Sequence, residues 1–253
     1  MIYFYLNILI ILIFAPTRSE EKWINLFNGE DLTGWIPKIA GYPSGENFAE
    51  TFRVKDSTLR VVYDGYDQFN DRFGHLFYKE SFSHYILKLE YRFTGDQVSG
   101  GPEWALRNSG VMFHAQHPET MDVDQSFPVC LEAQFLGGTG TGERPTGNLC
   151  TPGTNVETNG SLITDHCISS SSMTYHGDQW VSARLVVLGD SIIRHIIEGD
   201  TVITYGKPVI GGSHLPVDFP VEIGTPLKKG YIALQSESHP VEFRRIELLD
   251  LSE

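Results

Sequence analysis

The feature that most limits what this chain can become is strict two-residue alternation, repeated in short runs and never replaced by a helical period. In Tyr85–Thr94, Leu87, Leu89, Tyr91 and Phe93 share one face while Lys88, Glu90 and Arg92 share the other. Asn108–Ala115 and Val129–Leu136 repeat the pattern, with Val111 and Phe113, then Leu131, Ala133 and Phe135, on the apolar side. Shorter strand candidates fall at 52–54, 58–62, 75–78, 180–188, 191–198, 201–205, 230–236 and 241–249. Glu198-Gly-Asp200 reads as a hairpin turn, and 25 glycines with 13 prolines supply the many turns such a chain needs. No segment after Trp23 carries helical periodicity beyond about two turns. The expected fold is therefore an all-β sandwich of two antiparallel sheets, of jelly-roll kind.

Residues 1–19 differ in kind. Ile2–Phe14 is apolar apart from Asn7 and its tyrosines, too short to span a bilayer comfortably, which takes roughly 20 residues. It reads as a signal-peptide core with a cut near Ser19/Glu20, although no Lys or Arg precedes it; an uncleaved anchor is the alternative. No Cys follows the run, which argues against a lipoprotein anchor. Residues 20–253 then form a single domain, secreted or periplasmic, with no stable membrane insertion after cleavage. Export agrees with a disulfide between Cys150 and Cys167, which lie in a polar Gly/Ser/Thr-rich segment. The rival zinc site lacks any C-x-x-C or H-x-x-x-H spacing. The bridge would pin 137–175, which reads as a long polar rim or lid loop. A formal net charge of −13 disfavours nucleic acid and anionic lipid as partners and leaves neutral molecules such as sugars open.

Several stretches together resemble one family. They are Leu26-Phe-Asn-Gly-Glu-Asp-Leu-Thr-Gly-Trp35, Gly74-His-Leu-Phe77, Leu87–Phe93, Asn108-Ser-Gly-Val-Met112, Glu132-Ala-Gln134, Gly230-Tyr-Ile-Ala-Leu-Gln235 and Val241-Glu-Phe-Arg-Arg-Ile246. In this order they are similar to the 3-keto-disaccharide hydrolase domain, also described as a 3-keto-glucoside 1,2-lyase/3-keto-2-hydroxy-glucal hydratase domain, from about Trp23 to Leu251. The resemblance implies a concanavalin A-like sandwich with a concave sugar-binding face, found in exported bacterial proteins that act on oxidised sugars. Two departures are the size of the insertion around Cys150–Cys167 and Arg245, where the family commonly has Asn.

A ketone at C3 of a glucoside acidifies the C2 proton, so a base can remove it and the C1 substituent can leave by elimination. Hydration then releases the 3-keto sugar. This chemistry needs a general base, a proton donor for the leaving oxygen and donors for the enolate. The site residues expected for it are Glu132 as acid/base and His75 as its partner. Gln134, Glu90, Arg92, Asn108, His114, His176 and Gln235 are expected to bind substrate. The structural alternatives stay open at each position. Glu132 and Gln134 suit a solvated sheet face, Glu90 and Arg92 a cross-strand ion pair, His75 a core histidine, and Asn108 a turn cap. A one-residue slip would bury His114 and Gln235. His166 and His176 fit either a lid or plain surface. The glycine-rich run 137–143 is no phosphate loop, because no Lys-Ser/Thr follows it. No cofactor or metal site is expected, and a divalent cation such as Ca²⁺ is left open. A non-catalytic, lectin-like carbohydrate-binding module is the alternative function.

Overall fold

The computed structural model describes residues 22–252; the signal-peptide expectation lies outside them. The strands are β1 (Trp23–Asn25), β2 (Trp35–Ile39), β3 (Phe52–Lys55), β4 (Thr58–Val61), β5 (Gly74–Phe82), β6 (His84–Phe93), β7 (Asn108–Ala115) and β8 (Leu131–Leu136). They continue with β9 (Asn148–Cys150), β10 (Thr154–Thr158), β11 (Ser161–Ile163), β12 (Cys167–Ile168), β13 (Val181–Leu188), β14 (Ile192–Ile197), β15 (Asp200–Ile210), β16 (Gly230–Ser236) and β17 (Val241–Asp250). A seven-stranded sheet runs β12-β9-β8-β7-β16-β5-β2. The opposing ten-stranded sheet runs β11-β10-β15-β14-β13-β6-β17-β4-β3, with β1 also on β17. Only short 3₁₀ turns interrupt the strands among the described residues.

The alternation explains the layering. Leu87, Leu89, Tyr91 and Phe93 of β6 meet Leu131, Ala133 and Phe135 of β8 and Val111 and Phe113 of β7 in one buried core. Tyr91 stacks on Phe135 with centroids 4.1 Å apart. Burying such aromatic faces supplies most of the driving force for closing the sandwich. The turn after β14 forms as expected: Glu198 and Gly199 both take positive φ, which joins β14 to β15 with the twist a hairpin favours.

Two expectations need correction. The segment 137–175 is not a structureless lid. It contributes β9 and β12 to one sheet and β10 and β11 to the other. Its strands are three to five residues or shorter, set among Gly, Ser and Thr, and they exist because β8 and β15 offer edges to pair with. The Cys150–Cys167 bridge is formed, and it joins β9 to β12 directly across their ladder. Likewise β15 runs on to Ile210, well past the strand expected at 201–205.

The outer face of the seven-stranded sheet is only partly covered. Phe77, Met112 and Ala233 meet Met121 and Cys130 from the chain between β7 and β8 in a second, smaller apolar cluster. Cys130, reduced, is therefore fully buried. The part left open is the polar stretch of β7, β8 and β9.

Candidate functional site

On β8, Glu132 and Gln134 stand on the face opposite the core residues, as the alternation requires. They floor a cleft of about 650 Å³. Asn108 joins them from β7, and Glu237 from the end of β16. Trp104, Phe127, Arg144, the Cys150–Cys167 bridge, His166 and His214 line the rest of the cleft.

Glu132 is 6% exposed. Burial raises its carboxyl well above the usual carboxylate range, with no hydrogen bond or cation acting the other way. Its side chain lies over Gly110: a Cβ there would sit 2.8 Å from Glu132 Oε1. Gln134 Oε1 accepts a hydrogen bond from Asn148 Nδ2 at 3.0 Å, which orients the amide toward the cleft. Asn108 is buried, and its Oδ1 has no partner among the described residues. Gln235, fully buried, donates through Nε2 to Glu237 Oε1 at 2.9 Å. Burial, and then the charge of Glu132, push Glu237 well above its ordinary value.

The rim is polar and aromatic. Trp104 is 54% exposed and stacks on Phe73 with centroids 5.7 Å apart and planes 10° apart. Arg144 is held by carbonyls, donating through Nη1 to Gly137 O at 2.7 Å and to Arg107 O at 3.1 Å. The His166 and His214 rings lie 4.7 Å apart. Burial and then His214 hold His166 below the usual imidazole value.

Glu132, Gln134 and Asn108 thus come together, with Gln235 supporting Glu237 behind them. Other expected residues go elsewhere. Glu90 and Arg92 belong to β6, on the outer face of the ten-stranded sheet. Glu90 accepts from Arg244 Nε at 2.5 Å and from Arg245 Nη1 at 2.7 Å, while Arg92 Nε donates to Glu242 at 2.7 Å. The two sheets stack core to core, so the polar faces of β6 and β8 point in opposite directions. Glu90 and Arg92 therefore form ion pairs with β17 and do not reach the cleft.

His75 is fully buried next to Phe127 and does not line the cleft. Neither ring nitrogen has a partner among the described residues, and burial, then the nearby Lys38, lower its pKa to about 3. A neutral, enclosed imidazole is poorly placed as the partner acid expected from the sequence. His114 has φ of 48° at an irregularity between β7 and β16, which turns its ring from the polar face to hydrogen-bond Gly189 O at 3.0 Å. His176 accepts from Gly140 N through Nδ1 at 3.1 Å, outside the cleft.

The residues missed were Trp104, Phe127, Arg144, His214 and Glu237. Glu237 carried a signal: it is two residues beyond Gln235, on the same face. The others come from loops, where no periodicity marks direction. Among the described residues, no three His, Cys, Asp or Glu side chains gather into a metal-binding group.

Comparison with known proteins agrees with this architecture. Two crystal structures from Parabacteroides distasonis ATCC 8503, themselves provisionally assigned as glycosyl hydrolases, share the fold. One is 19% identical with a TM-score of 0.53, covering 91% of this chain and 100% of its own. The other is 16% identical with a TM-score of 0.54, covering 91% and 94%. The exoplasmic/lumenal domain of VIP36, in a Ca²⁺/Man3GlcNAc-bound form, is 10% identical with a TM-score of 0.50, covering 93% and 90%. At these identities the likeness is one of fold. No curated protein matches the chain. The family model described as a 3-keto-alpha-glucoside-1,2-lyase-like domain matches residues 22–249. With that match over nearly all the described residues, the chain belongs to the 3-keto-alpha-glucoside-1,2-lyase-like domain family.

Proposed function

We propose that this chain is an exported carbohydrate-active enzyme that cleaves 3-keto-glycosides in the β7–β8–β9 cleft, by C2 proton abstraction, elimination at C1 and hydration, or by net hydrolysis. Family membership supports a sugar substrate, and the disulfide supports export. The observation that carries the reading is Glu132: a cleft carboxyl, central on β8, whose burial moves its titration toward neutrality. A general base works best when its pKa lies near the working pH. Gln134 and Asn108 are placed to hydrogen-bond sugar hydroxyls or the developing enolate oxygen, and the exposed face of Trp104 suits stacking on a pyranose ring. The reaction is proton chemistry on a ketone the substrate already carries, so the reading calls for no redox cofactor.

Incubation with a 3-keto-disaccharide is expected to release 3-keto-glucose, and Glu132→Gln is expected to abolish the release. Undiminished turnover in that variant would remove Glu132 from the mechanism. The second reading, a non-catalytic sugar-binding module, is favoured by the stacked Trp104–Phe73 pair at the rim. Tight binding of an unoxidised glycan with no turnover of any keto-sugar would select it.

A further inference from the structure

We propose that Glu237 is the second catalytic carboxyl of this cleft: in the reacting state it stays protonated while Glu132 is ionised, and it delivers that proton to the departing glycosidic oxygen. This rests on the eliminative reading above and assigns its missing acid.

The geometry begins at Gly110. With no side chain there, the Glu132 carboxylate lies over β7, its Oε1 where a Cβ would almost touch. On the far side of β7 runs β16, and Glu237 follows its last residue. Both carboxyls line the same cleft and are nearly inaccessible, at 6% and 3% exposure. One oxygen of Glu237 is fixed by Gln235 Nε2, while Oε2 has no partner among the described residues. Asn108 Oδ1, also buried and unpartnered, lines the same cavity.

Among the described residues no cation acts on either carboxyl. Arg144, on the cleft lining, directs its Nη1 to the carbonyls of Gly137 and Arg107. Arg107 donates to Gly177 O and pairs with Asp178. Two carboxyls buried in one cavity without a counter-ion cannot both ionise near neutrality, so the pair retains a proton. Burial raises both carboxyls, and the charge of Glu132 raises Glu237 further. With Oε1 of Glu237 held by Gln235, the unpartnered Oε2 is the oxygen free to carry the proton into the cleft, which makes Glu237 the acid and leaves Glu132, central on β8, as the base.

The proton count then closes. Ionised Glu132 takes the C2 proton, and the electrons of that bond form the enolate with C3. The enolate collapses, re-forming the C3 carbonyl and making C1=C2 as the C1–O bond breaks. Protonated Glu237 gives its proton to the departing oxygen. In hydration Glu237, now ionised, takes a proton from water as the hydroxyl adds to C1, and Glu132 returns its proton to C2. Both carboxyls end as they began, and only water is consumed.

The test is leaving-group dependence. Glu237→Gln is expected to slow a 3-keto-disaccharide on the order of a hundredfold or more. It is expected to leave the first-turnover release of nitrophenolate from a 3-keto nitrophenyl glycoside, a leaving group that needs no proton, within a few-fold of the parent. Glu132→Gln should slow both. Equal slowing of both substrates by Glu237→Gln, or no slowing of either, overturns the proposal. Infrared titration of the ligand-free protein decides independently of any turnover. A protonated carboxyl band at neutral pH and above that is weakened in Glu237→Gln, in a variant that still melts cooperatively, supports the retained proton, and an undiminished band in that variant overturns it. The absence of such a band overturns it, even if the chain cleaves keto-glycosides.

Discussion

Gly110→Ala tests the floor of the cleft most directly. The position has ordinary strand geometry, so alanine meets no backbone penalty there. Its Cβ, however, would lie 2.8 Å from Glu132 Oε1, 3.1 Å from Glu132 Cγ and 2.9 Å from the Ala133 carbonyl oxygen. Carbon–oxygen contacts normally close no nearer than about 3.3 Å, so Glu132 must move by about half an ångström and the backbone of β8 must give. Overpacking of this kind costs about 1–3 kcal/mol. For a chain of this size each kcal/mol moves Tm by about 2–4 °C, so calorimetry should show a fall of about 2–12 °C. Displacing the reacting carboxyl by about half an ångström should also cut turnover on the order of tenfold. Glu132→Ala removes two of the three close contacts and leaves the carbonyl, so Gly110→Ala should destabilise that background less than the parent. The same loss in both backgrounds, or parental Tm and turnover in Gly110→Ala, would refute the placement of Glu132 over Gly110.

Three further outcomes are expected. Because burial raises the Glu132 carboxyl, its base form appears only at higher pH than an ordinary glutamate; turnover should climb with pH on the neutral-to-alkaline side, and a plateau already reached near pH 4, where free Glu titrates, would contradict this. His75 falls from 6.5 to about 3 on folding, so its contribution to stability is complete above 6.5 and is lost as pH drops toward 3. The loss amounts to on the order of 5 kcal/mol at most; denaturant titrations across that window should be flatter for His75→Phe, and an unchanged slope would count against a buried neutral imidazole. Trp104→Ala removes an exposed ring, so it should weaken sugar binding, read as a raised KM with kcat nearly unchanged, while Tm stays close to that of the parent.

What the sequence by itself determined was local. Alternation told inside from outside on β6, β7 and β8, and it placed Glu132 and Gln134 on the polar side, because side-chain direction along a strand depends only on parity. The cysteine pair was legible from its polar surroundings. Parity is blind to which sheet a strand joins, so Glu90 and Arg92 looked equivalent to Glu132 and Gln134 until the stacking of the two sheets sent them to opposite surfaces. It is equally blind to irregularities, and so His114 was read on the wrong side of β7. The short strands of 137–175 form because neighbouring edges accept them, and Trp104, Arg144 and His214 reach the cleft because loops from distant parts of the chain close over it. Only the assembled sandwich decides these things, since long-range pairing and the burial of charge are properties of neighbours the local sequence does not contain.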